Sequence, residues 1–572
     1  MSGRRITVVT AQLRGYDRVG GAGTATTFLA LALARLGHDV DVLYVGPAQA
    51  TAVEGEWARL YADAGVRVRR PPTAETRVEP PRYARMRSVE RALRNEPTDV
   101  VLTHDFGAPA HCALRLRRFG LAFEDVLFVT LCHGTRRWVK EVNRNARVSP
   151  HVLGENLLER TAVELSDVVV SPSAYMLEWM RADGWQLPEA TFVVPYVTRS
   201  AALGEPLAAH VDNDARGAVE RLAFFGRLDE RKGLAPFLGG LDALPRELLE
   251  RVEVEFIGKP TKEWSAERVA ASISQRTKRA LRGVSFEPDL DQHEALARLS
   301  RPGTLAVIPS LADNSPNTVY ECIERGIPFI ASGVGGTGEL VAAEDRARVL
   351  FEPTSEGVRG ALERALTGGE PLRAARPAFD GPTSLRAWSD VIAMQPAPSA
   401  PVDGSLAVAV RRRSDDDLPD APWVLLLDDG DEPDPALVET LARAQAASGA
   451  DVVTCGVSDG VTEYFFAGDP GGLGVLTNDY GTVALLRREL LTDVADHEWP
   501  LLARLSAAGA RIESVPLPLV RRTHPPGTLA HEPSDALLVV EHIERALPGP
   551  LRSLARLAAG LAADAARAAD AS

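Results

Sequence analysis

The chain has 572 residues, of which 45% are hydrophobic and 25% charged; this is the balance of ordinary globular domains, in a chain too long for a single hydrophobic core. Its formal net charge of -14 excludes a broad nucleic-acid-binding surface and a generally cationic membrane-facing one, and no apolar run reaches the roughly 18 residues of a membrane span. Four widely spaced cysteines, Cys112, Cys132, Cys322 and Cys455, form neither a C-x-x-C pair nor a metal-ligand rhythm and are expected as reduced core residues of a cytoplasmic protein.

Residues 6–10 read as a short strand, followed by the loop QLRGYDRVGGAGTATT, the helical pattern FLALALARLGH and a second strand at 39–45. Gly20, Gly21 and Gly23 let the backbone approach a ligand closely, and Thr24 can cap the helix. Residues 99–103 and 126–131 read as buried strands ending in His104-Asp105 and in Cys132-His133-Gly134, so both histidines stand where a loop opens. Asp167 opens a further strand, Ser173 a helix, and 192–197 is the last strand of the first domain.

The second domain opens with RLAFFGRLDERKGL, an apolar strand running into a glycine and basic turn. After the strand VEVEFIGKP and a loop and helix at 286–299 comes LAVIPSLADNSPNTVYECIERGIPFIASGVGGTGELV. Its pattern is a strand at 305–308, a polar loop, a helix carrying Glu321, a turn at Gly326, a strand at 328–331 and a glycine-rich turn. A βαβ unit of this kind puts the polar loop at the carboxyl end of a parallel strand, where open α/β sheets bind ligands. A helix start near Ser315 places Asp313 in the loop and Glu321 about two turns inside the helix, with free backbone N–H groups between them.

This segment resembles the signature of retaining glycosyltransferases of family 4, which have the GT-B fold and two acidic residues seven apart, after P-S-L and before a G-x-P strand. Here those residues are Pro309, Ser310, Leu311, Asp313, Glu321, Gly326 and Pro328; the family usually has Glu where this chain has Asp313. The resemblance implies that Glu321 binds the ribose hydroxyls of a nucleotide and that the amides around Asn314, Ser315 and Asn317 meet sugar hydroxyls or phosphate. It assigns Gly226, Arg227 and Lys232 to the donor diphosphate, where fixed cations stabilise the charge that builds on the leaving group. It also places Gly20, Gly21 and Gly23 at the cleft, His133 and Asp313 beside the sugar, and Glu339 in shaping the loop.

Residues 393–405 have the Pro, Ala and Ser content of a linker. Beyond them a strand at 423–427 ends in Asp428, Asp429, Gly430 and Asp431, followed by a helix at 435–447 and a strand at 451–455. This resembles the later part of a GT-A domain of family 2, whose Asp-x-Asp binds a divalent metal and the nucleotide. By that likeness Asp429, Asp431 and Glu498 form a second site, with His524 in a basic segment beyond it. The interval from Ser405 to Pro422 is too short for the nucleoside-binding strand, helix and strand of a complete GT-A domain, so the domain is expected to be truncated and non-catalytic.

The expectation is an α/β chain of the GT-B fold, two Rossmann-like domains facing a cleft (1–200 for the acceptor, 201–392 for the donor), then a linker, a GT-A-like domain at 406–535 and a helical tail at 536–572. The implied reaction moves a hexosyl group from a UDP- or GDP-sugar to an acceptor glycan or small molecule with retention. No metal is required in the GT-B site, and Mg²⁺ or Mn²⁺ enters only if the GT-A-like domain is active. A bifunctional enzyme, a sugar-nucleotide epimerase and an inactive sugar-binding scaffold stay open, as does a homo-oligomer through the C-terminal domain. The Ala- and Arg-rich composition suggests a bacterial genome.

Overall fold

The structure, a computed structural model, describes residues 3–16, 19–47, 53, 55–72, 76–145, 149–204, 218–368, 373–397, 405–469, 474, 478–491 and 498–522. It divides into two compact units, each entered three times by the chain. Met1–Arg69, Thr130–Ala146 and Val168–Met394 form the first, and Arg70–Val129, Arg147–Asp167 and Gln395–Ser572 the second. The expected tail at 536–572 and His524 lie outside the described residues. Among the described residues no helix is long and apolar enough to cross a membrane, and all four cysteines are buried.

In the first unit β1 (Arg5–Thr10), β2 (Asp39–Tyr44) and β3 (Arg67–Arg69) pair in parallel. Strands β4 (Arg77–Glu79) and β5 (Val100–His104) belong to the second unit, and β6 (Leu127–Leu131) ends in the first, where β7 (Val168–Ser171) and β8 (Thr191–Val193) pair in parallel. The helix Gly21–Arg35 links β1 to β2, as its apolar run requires. Strands β1, β6 and β7 are nearly continuous apolar runs, the pattern of a parallel sheet buried on both faces.

A second parallel sheet of the first unit contains β9 (Arg221–Phe225), β10 (Glu253–Ile257), β11 (Gly283–Glu287), β12 (Thr304–Ile308), β13 (Phe329–Ser332) and β14 (Leu350–Phe351). Their order is β11-β10-β9-β12-β13-β14, so chain direction along the sheet reverses between β9 and β12. That is the doubly wound arrangement, and its ligand crevice lies outside the carboxyl ends of the two strands at the reversal. Alternate residues of β9 serve opposite faces: Leu222 and Phe224 pack with Phe237 and Phe256, and Ala223 and Phe225 with Val319 and Tyr320.

The second unit is built on β15 (Val408–Arg412), β16 (Trp423–Leu427), β17 (Asp431–Pro433), β18 (Val452–Ser458), β19 (Thr462–Tyr464), β20 (Ala484–Arg487) and β21 (Ile512–Arg522). The order is β15-β16-β20-β18-β19-β4, with β21 paired to β17 and β18. The edge strand β4 comes from early in the chain, Val78 standing opposite Glu463 in parallel register. Leu116 and Phe119 enter the same core as Trp423, Leu425 and Leu427. Arg82 meets both oxygens of Asp479, at 2.7 and 2.8 Å, and Arg115 reaches Glu513 at 2.6 Å. Residues 70–129 and the C-terminal sheet therefore share one core.

Candidate active site at the sheet reversal

Beyond β9 the chain makes a turn that is fastened to the loop beyond β12. Asp229 caps the short turn Glu230–Lys232 by accepting from the Lys232 N–H. Gly233 follows with φ of +75°, and a Cβ there would lie 1.7 Å from the Pro309 carbonyl oxygen, so only glycine allows the two loops to meet. The Leu311 N–H donates to the Arg231 carbonyl at 2.7 Å. On the far side of the loop, a Cβ at Gly335 would lie 2.0 Å from the Asp313 carbonyl and one at Gly336 1.9 Å from that of Asn314. The loop carrying Asp313 is thus held from both flanks by backbone approaches that side chains would prevent.

This fastening brings Lys232 Nζ onto Asp313 Oδ2. Arg231 Nη1 lies 3.3 Å from Asp313 Oδ1, Ser310 Oγ donates to Oδ2 at 3.3 Å, and the Arg231 guanidinium sits 5.8 Å from the Trp138 ring. Burial works to raise the Asp313 carboxyl, but Lys232 and Arg231 outweigh it and hold the group below the ordinary carboxylate range. Burial lowers the Lys232 ammonium, opposed by Asp313. Two cations against one carboxylate leave a local positive excess beside the crevice. Arg227 has a different partner: its Nε and Nη2 bond Asp229 Oδ2 at 3.0 and 2.7 Å, with 55% of its side chain exposed. Arg231, not singled out in the sequence, is the second cation at Asp313; its adjacency to Lys232 was the available signal.

The neighbouring residues divide between framework and pocket. Asn314 is 2% exposed; it accepts from Ser173 Oγ and donates to the Cys132 carbonyl at 3.0 Å. Ser315 Oγ bonds the Tyr320 hydroxyl at 3.0 Å. These side chains therefore hold the loop in shape. Glu339 accepts from the N–H groups of Ala174 and Tyr175 at the start of the helix Ala174–Ala182. The helix carrying Glu321 is Asn317–Glu324, entered from Pro316. Asn317 Nδ2 would lie 2.5 Å from a Cβ at Gly21, while Gly23 is packed on Val19 and Gln12. Gly20 precedes the helix Gly21–Arg35, accepting the Thr24 N–H at 3.2 Å.

Glu321 and Asn317 line a pocket of about 540 Å³ together with Arg14, Trp57, Tyr196 and Gln292. Gln292 Nε2 donates to Glu321 Oε1. Burial pushes the Glu321 carboxyl up to about 7, opposed by the Gln292 hydrogen bond and the charge of Arg14. Arg14 donates to Thr24 Oγ1 at 2.9 Å and lies 5.2 Å from the Trp57 ring. His133 Nδ1 is 2.8 Å from the Tyr196 hydroxyl, and the Tyr196 N–H donates to the Tyr320 hydroxyl at 3.0 Å. His133 is thereby tied to a wall residue of the pocket. His104 belongs to the second unit, buried and stacked on Phe106 at 5.5 Å; burial lowers its imidazole to about 4, the state of a neutral core histidine.

At the expected second site Asp431 is buried against Arg522, and Asp429 accepts from the N–H and hydroxyl of Ser414. Glu498 opens the helix Glu498–Ala507. Among the described residues no group of three or more His, Cys, Asp and Glu side chains is placed to hold a metal ion.

Two family models match successive stretches of the chain: Glycosyltransferase Family 4 over residues 19–195 and Glycosyl transferases group 1 over residues 219–367. The glycogen synthase of Mycobacterium tuberculosis is 28% identical over 323 residues, spanning 53% of this chain and 72% of that protein. Among solved structures, the sucrose-phosphate synthase of Thermosynechococcus elongatus has a TM-score of 0.47 at 18% identity, over 68% of this chain and 96% of its own. The catalytic domain of starch synthase IV from Arabidopsis thaliana, bound to ADP and acarbose, gives 0.46 at 16% identity, over 69% and 96%. The two family matches and the parallel sheets support a glycosyltransferase of the GT-B fold.

Proposed function

We propose that the chain transfers a hexosyl group from a nucleotide diphosphate sugar to an acceptor hydroxyl with retention of configuration. The observation that carries this reading is the fastening of the turn after β9 to the loop after β12, which sets Lys232 and Arg231 on Asp313 beside the sheet reversal. One carboxylate for two cations leaves charge available for a diphosphate, and the first turn of Asn317–Glu324 adds its free N–H groups. Breaking the sugar–phosphate bond builds negative charge on the leaving oxygen, which these fixed donors stabilise without reorganising. Asp313 is shared between the cations and the sugar, and its shorter side chain relative to Glu is matched by Lys232 reaching it directly. Glu321 takes the ribose hydroxyls in the pocket it shares with Arg14 and Gln292, and His133, braced by Tyr196, orients the sugar.

Arg227, bonded to Asp229 across its turn and with more than half of its side chain exposed, is the third cation offered to the diphosphate. Transfer proceeds on the face that the leaving group vacates, and no step draws on a metal in this site. The C-terminal sheet takes no part in the chemistry. The reading is tested by incubating the full chain with UDP-, GDP- and ADP-sugars and a panel of glycan and small-molecule acceptors, following release of free nucleoside diphosphate, with NMR of the new anomeric centre in the glycosylated acceptor. Release with the donor's anomeric configuration kept in the product supports the reading; inversion, or a converted sugar still attached to its nucleotide, contradicts it.

A further inference from the structure

The acidic turn after β16 is the feature of the second unit that the transfer reading leaves unused. A turn of this kind with a bound divalent ion needs carboxylate and carbonyl oxygens open to the ion at about 2.0–2.6 Å, six or more of them counting water. Here most of the candidate oxygens already have a partner from the chain. Asp431 and Arg522 are directly opposite each other in the antiparallel register of β17 and β21. Arg522 Nε lies 2.9 Å from Asp431 Oδ1 and its Nη2 donates to Oδ2 at 3.1 Å. The same guanidinium reaches Asp428 Oδ2 at 3.3 Å.

Asp431 also accepts the Asp428 N–H at 2.9 Å. Three carbonyls of the turn are taken as well: Arg412 Nη1 donates to those of Asp428, Asp429 and Asp431 at 2.9, 3.1 and 3.3 Å. Asp429 Oδ1 accepts from the Ser414 N–H at 3.0 Å and hydroxyl at 2.7 Å. The Arg412 N–H donates to Asp415 Oδ2 at 2.7 Å, folding residues 412–415 into a strap across the strand end.

We infer that Arg522 and Arg412 are the resident cations of this turn, standing where a divalent ion would stand, and that the turn is a clasp joining β16, β17, β21 and the strap. With its side chain 1% exposed, Asp431 must keep a counter-charge, and strand pairing supplies Arg522 permanently, as a cross-strand neighbour. An entering divalent ion has to expel a guanidinium that register returns to the same place, and it would face that positive charge at close range. The domain whose sequence resembles part of a metal-dependent transferase is thereby a structural module with its own cation. This inference is independent of the transfer reading, since it rests on the other unit of the chain.

The test is a Mn²⁺ titration of the full chain, read by loss of the free-ion EPR signal and by melting temperature. The wild type is expected to bind no Mn²⁺ with a Kd of roughly 10⁻⁴ M or tighter, and its melting temperature does not move with Mn²⁺. Arg522→Met frees the carboxylates of Asp428 and Asp431. It melts lower than wild type, gains one Mn²⁺ site, and recovers stability as Mn²⁺ is added, because a ligand that binds only the folded state raises its stability. Adding Asp431→Asn to that variant removes both the gained site and the recovery. Arg412→Met, which opens three carbonyls without unpairing Asp431, gives a weaker version of the same gain and serves if Arg522→Met does not fold. One Mn²⁺ bound tightly by the wild type and lost in Asp431→Asn overturns the inference, as does the absence of any gained site in the folded arginine variants.

Discussion

Replacing Glu321 by Gln separates what this residue does for binding from what it costs the fold. Burial raises its carboxyl from the ordinary 4.5 to about 7. Between those values the folded chain holds a proton that the unfolded chain has released, so stability falls as pH rises through the interval. A shift of that size corresponds to about 3 kcal/mol at pH 8 and to nearly nothing at pH 4. Glutamine carries no charge at either pH and keeps an oxygen for the hydrogen bond that Gln292 donates to Oε1. The expected result in thermal melts is that Glu321→Gln is clearly more stable than wild type at pH 8 and equal to it near pH 4.5. The same variant binds donor more weakly, since a neutral amide is a poorer acceptor for two ribose hydroxyls. A melting difference that does not change with pH, or a variant less stable at pH 8, refutes the reasoning, because it would mean that the carboxylate is not disfavoured in the folded state.

Gly233→Ala meets the Pro309 carbonyl and a φ of +75° at once; each effect costs ~1–3 kcal/mol, and the melting temperature and donor turnover both fall, whereas Gly326→Ala, with φ of +63° but nothing near its added Cβ, loses stability alone. Asp479→Asn leaves the buried Arg82 guanidinium without its counter-charge, a loss of ~3–5 kcal/mol that amide hydrogen exchange of β16 and β18 would register in the second unit.

The sequence made much of the first unit legible because its signals are local. Apolar runs of four or five residues marked β9, β12 and β13, and the glycines and prolines between them marked the loops that gather at the sheet reversal. Asp313 and Glu321 stand on one such loop and the helix after it, and Lys232 was assigned by the family resemblance. Arg231 was missed because a basic pair in a turn does not show that both side chains turn inward; that is decided by the Asp229 cap and by Leu311 bonding the Arg231 carbonyl. The Asn314 side chain spans from Ser173 to the Cys132 carbonyl, contacts that bridge more than a hundred residues and leave no local trace. The pairing of Val78 with Glu463 and of Asp431 with Arg522 had no local signature either. Strand partners are chosen by packing of the whole sheet, and a three-residue edge strand such as β4 has too few positions to display an alternation.

The central claim is that the cations at Asp313 hold the phosphates of a sugar nucleotide, and calorimetric titration of UDP-, GDP- and ADP-glucose into wild type and Lys232→Ala addresses it most directly. A charged hydrogen bond of ~1.5–3 kcal/mol corresponds to an affinity loss of about 10- to 100-fold on removing the ammonium, for whichever donor the wild type binds, with the free nucleoside diphosphate weakened to the same degree. Equal affinities in the two proteins, for a donor that the wild type binds tightly, would contradict the account.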